Sequence, residues 1–96
     1  EVAKPEWWND EGLKVMSARV VRAAPDDQTA NEMRAEVLSG QLDRFWEVGP
    51  RSAAELTEAA TQYERAAALC PAPAVKAGLA GDAAGCRTKA AAMLRC

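Results

Sequence analysis

The side chains best suited to catalysis in this sequence are two pairs of carboxylates, Glu32 with Glu36 and Glu55 with Glu58. Each pair spans about one helical turn, so its members could share a face as general acid and general base. Histidine, the most frequent general base, is absent from the chain. Each pair also lies beside a helix-capping position or on a polar helix face, where carboxylates are usually solvated. We therefore expect no catalytic residue and no enzymatic activity.

The three cysteines, Cys70, Cys86 and Cys96, are the other residues that could do chemistry. They form no CxxC pair, and without histidine they are too few for a structural zinc site, so we expect neither a metal nor a cofactor. One disulfide is an open alternative. We favour free thiols in a reducing intracellular compartment, with Cys70 and Cys86 packed as small apolar side chains.

The composition favours a small helical domain whose partners are proteins. Alanine, the best helix former, occurs 22 times in 96 residues, and isoleucine is absent. No stretch alternates apolar and polar residues, so strands are not expected. The 12 basic and 14 acidic residues are interspersed, which argues against a nucleic-acid partner. No apolar segment approaches the 18 residues or so of a membrane span.

The fold expected is all-α, a single domain of antiparallel helical hairpins over residues 9–96. An extended arm over residues 1–8, with two adjacent tryptophans, precedes it. We expect helices at about 10–24, 27–39, 41–48 (short), 53–70 and 73–95. Pro25 and Pro71 end the first and fourth of these, because proline disfavours helical geometry in the preceding residue.

Capping signals support these bounds. Ser52 with Glu55 has the spacing of a capping box, and so does Thr29 with Glu32, behind two aspartates that suit a helix N-terminus. Gly40 is expected to end the second helix as its C-terminal cap.

Apolar side chains at spacings of three and four predict the faces that form the core. They are Leu13, Met16, Val20 and Ala24; Ala30, Met33, Val37 and Leu38; Leu56, Ala59, Ala60, Tyr63, Ala66, Ala67 and Cys70; and Val75, Leu79, Ala83, Cys86, Ala90 and Met93.

The last segment has two interpretations. Its continuous apolar stripe favours one long helix, in which Gly78, Gly81 and Gly85 would be points of close helix contact. Each glycine costs about 1 kcal/mol relative to alanine, which favours a break near Gly81 with Asp82 as a new cap. We favour the continuous helix.

The stretch from Glu58 to Pro71 resembles the second helix of a tetratricopeptide repeat (TPR). Ala59, Tyr63, Ala66 and Pro71 stand at the small, aromatic, alanine and closing-proline positions of that motif. Leu13, Val20 and Pro25 repeat the frame weakly, with Ser17 where the aromatic is expected. The two prolines are 46 residues apart, whereas the family repeat is about 34 residues long. The excess falls at Gln41–Arg51.

The resemblance implies a right-handed stack of hairpins and a non-catalytic role in protein–protein interaction or scaffolding. An unrelated four-helix bundle is the alternative fold. On the TPR interpretation, Asn31, Arg34 and Leu38 would line the concave groove and bind a partner. The tryptophans suggest another role, because exposed aromatic side chains are common docking anchors. Trp7, Trp8 and Trp46 could hold the chain in a larger assembly as an accessory subunit.

Overall fold

The computed structural model describes residues 10–40 and 51–95, and these residues form four helices and no strand. The helices are α1 (Asp10–Ala23), α2 (Gln28–Ser39), α3 (Ala53–Leu69) and α4 (Pro73–Leu94). The all-α prediction is confirmed, and each helix begins and ends within one residue of its expected bound. The arm at residues 1–8 and the short helix at residues 41–48 lie outside the described residues.

The helix ends follow the capping chemistry of the sequence, with one exception. Ser52 and Glu55 form a reciprocal capping box at the start of α3, and Gly40 caps α2 with a φ of 81°. This left-handed conformation is readily adopted by glycine, which has no Cβ. At the start of α2, however, Asp27 is the cap, because its Oδ2 accepts a hydrogen bond from the Ala30 amide at 2.8 Å. The predicted capping box of Thr29 with Glu32 is therefore wrong.

The contacts between helices define two hairpins. Four residues join α1 to α2 and three join α3 to α4, connections short enough to require antiparallel neighbours. Lys14 and Glu55, near the starts of α1 and α3, form an ion pair of 2.7 Å. Near the ends of the same helices, Arg65 donates to the Pro25 carbonyl at 3.4 Å. Helices α1 and α3 therefore run in the same direction, as equivalent helices of two successive hairpins do.

The core is centred on α3. All seven apolar residues predicted to line its inner face are buried, and Tyr63 is the largest of them. The central cluster is built mostly from small side chains: Ala35, Leu38, Ala59, Ala60, Tyr63, Ala66, Ala67, Cys70, Leu79, Ala83 and Cys86. Alanine lets helix axes approach closely, but it removes little apolar surface from water, so Tyr63 and the two leucines supply much of the burial.

Helix α1 does not bury the face that its apolar spacing predicts. Met16 is exposed, Leu13, Val20 and Ala24 are half-buried, and Ser17 is the buried residue of this helix. The reason is the polar contact between Ser17 and Arg34 of α2, which turns the serine side of α1 toward the other helices. The predicted apolar stripe of α1 therefore lies at the edge of the contact between α1 and α2.

Helix α4 is continuous from Pro73 to Leu94, as we favoured, and it buries only Leu79, Ala83, Cys86 and Ala90. Val75 and Met93, which extend the same apolar stripe in sequence, are about half exposed. A Cβ atom added to any of the three α4 glycines would meet no atom within 4 Å. The prediction that these glycines are points of close helix contact is thus wrong within this chain.

Substituting Gly81 with alanine is expected to raise the free energy of unfolding by about 0.5–1 kcal/mol. The new methyl group has free space, and alanine loses less backbone entropy than glycine on entering a helix. Thermal unfolding followed by circular dichroism measures the change. A lower melting temperature for Gly81→Ala would show that this part of α4 is not a regular helix.

Candidate interaction surface

Arg34, one of the three residues predicted to line a groove, instead joins three helices. Its Nη1 atom donates to the Lys14 carbonyl at 2.6 Å and to Ser17 Oγ at 3.0 Å, both on α1. Its Nη2 and Nε atoms donate to Glu58 Oε2 of α3 at 3.1 and 3.3 Å. The side chain is only 12% exposed. Arg34 therefore fixes the positions of α1 and α3 relative to α2 and offers little surface to a partner.

Asn31 and Leu38, the other two predicted groove residues, are both buried, at 1% and 2% exposure. The Asn31 amide donates to the carbonyls of Pro25 and Asp27 at 3.0 and 2.8 Å and so fastens the turn between α1 and α2. Leu38 belongs to the core cluster. Neither side chain is available to a partner in this structure, so the predicted partner-binding groove is corrected to an internal contact.

The residues that carry the repeat resemblance fall into two groups. Ala59, Tyr63 and Ala66 are buried in the core, while the closing prolines, Pro25 and Pro71, are exposed at the helix ends. Ser17, which stands in place of the aromatic residue, uses its hydroxyl to accept from Arg34. The contact of Ser17 with Arg34 was missed because neither residue carries a spacing signal, and only the fold brings α1 and α2 together there.

The predicted aromatic anchors Trp7, Trp8 and Trp46 lie outside the described residues, as does most of the segment that joins α2 to α3. Arg51, at the end of that segment, is described, and its Nη2 atom donates to the Val37 carbonyl at 2.8 Å. This bond brings the start of α3 close to the end of α2.

The two described cysteines do not form a reactive site. Cys70 and Cys86 are free thiols, and both are buried. Burial raises the pKa of the Cys86 thiol, and this effect outweighs the opposing charge of Lys89, while the Asp82 carboxylate raises the pKa further. Cys86 is therefore protonated at neutral pH and is a poor nucleophile. Over residues 10–40 and 51–95, no three side chains of His, Cys, Asp or Glu come together as a metal site. None of the helices in these two ranges is long and apolar enough to cross a membrane.

Three carboxylates, Glu32 and Glu36 of α2 and Asp82 of α4, form what we call the acidic surface, since the first and the third both act on the second. Burial raises the pKa of the Glu36 carboxyl, and the charges of Glu32 and Asp82 raise it further. Asp82 of α4 is therefore within electrostatic range of Glu36 on α2, so this side of the molecule attracts positive charge.

Tyr63 lies beneath this acidic surface, and its hydroxyl is 3.4 Å from Ser39 Oγ. Burial raises the pKa of Tyr63 to about 12, and the Asp82 and Glu36 charges add to the effect, although the hydrogen bond with Ser39 opposes it. Tyr63 is the only tyrosine of the chain, so its ionisation can be observed directly by ultraviolet absorption.

We expect the folded chain to ionise Tyr63 near pH 12, whereas an unfolded tyrosine ionises near pH 10. Because the unfolded state loses the proton more easily, the contribution of Tyr63 to stability is complete below pH 10 and is lost as the pH rises to 12. Absorbance at alkaline pH, with and without denaturant, measures the two values. Identical ionisation curves in the two conditions would contradict the burial of this hydroxyl.

The largest accessible surface belongs to α4. Apart from the four buried positions, every residue of this helix is exposed. Arg87 of this helix forms a bidentate ion pair with Glu64 of α3, in which Nη2 and Nε donate to the two carboxylate oxygens at 2.6 and 3.0 Å. The pair lies on the surface and adds little stability. The remaining exposed positions are mainly alanine and glycine, with large apolar side chains toward both ends, Val75 near the start and Met93 and Leu94 near the end.

No family model matches the chain, and neither a curated protein nor a solved structure resembles it closely enough to carry an inference.

Proposed function

We propose that this chain is a non-catalytic protein–protein interaction module of TPR-like type, and that α4 presents its binding surface. The observation that carries the proposal is the exposure of α4. A helix of 22 residues buries one line of four side chains and leaves a mostly uncharged surface in contact with water. In stacked helical hairpins, an outermost helix that faces water usually carries a polar outer face, whereas a face that contacts another element does not.

The arrangement of the hairpins supports the same proposal. Helices α1 and α3 are parallel, and the small and aromatic residues of the TPR-like motif, Ala59, Tyr63 and Ala66, pack between helices. The right-handed stack itself stays a prediction. A stack of helical hairpins can be extended when one more helix packs against its outermost helix. Here that helix is α4, whose exposed surface is mostly uncharged.

Photo-crosslinking tests this assignment. A photoreactive amino acid replaces Met93, a large exposed side chain of α4, or Thr61, an exposed position of α3, in the full chain expressed in its native cells. We expect protein adducts from position 93 and few from position 61. Equal yields from the two positions would contradict a specific interaction surface on α4.

A second role is favoured by the composition of the core. Six of its eleven residues are alanine, and such a core buries little apolar surface, so we expect marginal stability in isolation. A chain of this kind suits a small accessory subunit that is stabilised by a larger assembly, docked through its tryptophans. A cooperative thermal transition of the isolated monomer above the range of about 45–65 °C that is usual for such domains would argue against this role.

A further inference from the structure

Six exposed residues of α4 form one line along the helix, which we call the α4 seam. They are Val75, Gly78, Asp82, Gly85, Lys89 and Ala92. Their spacing alternates between three and four residues, which is the spacing of the contact positions in a pair of helices. The seam is separate from the line of four residues that α4 packs onto the core, and within the described ranges its six residues stay exposed.

The two seam glycines are not points of close packing among the described residues. A Cβ atom at Gly78 or at Gly85 would meet nothing within 4 Å, so neither residue is needed for the packing of α4 on α3. Each nevertheless costs the helix about 1 kcal/mol relative to alanine. A glycine on an exposed helix face leaves a hollow into which a side chain of a second helix can fit.

The two charged residues of the seam are arranged nearly symmetrically about Gly85. Asp82 and Lys89 stand on either side of it, and neither has an ion-pair partner among the described residues. Val75 and Met93 stand farther out on the same side, and they are 48% and 45% exposed. When two copies of this helix are placed antiparallel so that each Asp82 lies opposite a Lys89, the two-fold axis falls between residues 85 and 86, and each Met93 lies opposite a Gly78.

We propose that the partner of α4 is a second copy of this chain, with the two α4 seams packed antiparallel about a two-fold axis near Gly85. This inference rests on the proposed function and names its partner. In the pair, the two Gly85 residues lie next to the axis, and Met93 lies over the hollow at Gly78 of the partner subunit. The parallel arrangement is disfavoured, because it would place the two aspartates together and the two lysines together.

Charge exchange tests the antiparallel pairing. The variants are Asp82→Lys and Lys89→Asp, each made in the full chain and studied by sedimentation velocity at low salt over a range of concentrations. We expect the wild type to form a dimer at high concentration and each variant to dissociate at least about tenfold more readily, since two favourable ion pairs become two repulsive ones. An equimolar mixture of the two variants should regain the wild-type affinity. In the mixed dimer, the lysine introduced at position 82 of one chain faces the aspartate introduced at position 89 of the other.

Two results would overturn the proposal. One is a wild type that stays monomeric at the highest concentration reached. The other is a mixture of variants that associates no better than either variant alone. Circular dichroism of each variant checks that the helix content is unchanged, and no loss is expected because both side chains are exposed.

A steric pair of variants tests the seam by a route that does not depend on charge. Gly85→Leu fills the hollow at the centre of the seam, whereas Ala84→Leu adds a similar side chain about 100° around the helix, also at an exposed position. We expect Gly85→Leu to abolish the dimer and Ala84→Leu to leave its dissociation constant within about twofold. Equal effects of the two substitutions would exclude the seam as the contact.

The crosslinking experiment at position 93 separates this inference from the proposed function. A product of twice the mass of the chain, made of two copies, supports the self-pairing. A product that contains only a different protein overturns the self-pairing and leaves the interaction role intact. The absence of any product from position 93 counts against both.

Discussion

Replacing Tyr63 with alanine is expected to cost about 3–5 kcal/mol of unfolding free energy, the usual loss for a buried aromatic side chain, and to leave most of the chain unfolded at 25 °C. Tyr63 is 1% exposed and is the largest side chain in the described core. Its neighbours are largely alanines, which have few rotamers with which to fill the cavity. The measurement is urea unfolding followed by circular dichroism.

Tyr63→Phe is the matched control. It keeps the ring and removes only a hydroxyl whose bond to Ser39 is long, at 3.4 Å, so we expect a loss of about 1 kcal/mol or less. If Tyr63→Ala unfolded no more easily than Tyr63→Phe, the ring would not be a main support of the core.

Replacing Arg34 with methionine is the second substitution with a large expected effect, about 2–4 kcal/mol. The guanidinium makes four hydrogen bonds to α1 and α3, and its removal leaves the buried Ser17 hydroxyl and the Lys14 carbonyl without this donor. Bonds to a charged donor contribute more than neutral ones, and a buried group that loses its partner keeps its desolvation cost. Urea unfolding again measures the loss.

Two controls separate the geometry of Arg34 from its charge. Arg34→Lys keeps the charge, but the single ammonium group of lysine cannot donate to α1 and α3 at once as the planar guanidinium does. We therefore expect this variant to recover less than half of the lost unfolding free energy. Glu58→Gln removes only the exposed ion-pair partner and should cost less than about 1 kcal/mol. A Glu58→Gln loss as large as that of Arg34→Met would show that the ion pair, and not the contact with α1, is the important one.

The sequence predicts the helices of this chain well because their signals are local. Proline at the end of α1, glycine after α2 and the box of Ser52 with Glu55 each act within one helical turn, so no knowledge of the fold is needed. The inner face of α3 is equally clear, because seven apolar residues follow the helical period without interruption. Ala59, Tyr63 and Ala66, which carry the resemblance to a TPR helix, are among these buried residues, and the resemblance itself stays a prediction.

The candidate site was harder to predict because it depends on which faces meet. Asn31 and Arg34 are polar, so they were assigned to a groove, but the fold uses both as internal hydrogen-bond donors. The glycines of α4 suggested close packing inside the chain, yet the helix turns them outward. Periodicity identifies an apolar line on a helix, whereas it gives no information about a second line made of glycine and charged residues.

The polar attachment of α1 has a consequence for how the domain opens. Helices α2, α3 and α4 share one apolar cluster, to which α1 contributes no residue. Helix α1 is held instead by the Arg34 guanidinium and by the ion pair of Lys14 with Glu55. Its release leaves the central apolar cluster intact, so we expect α1 to undock in a sub-global fluctuation while the other three helices stay folded. Amide hydrogen exchange would then be faster in α1 than in α3.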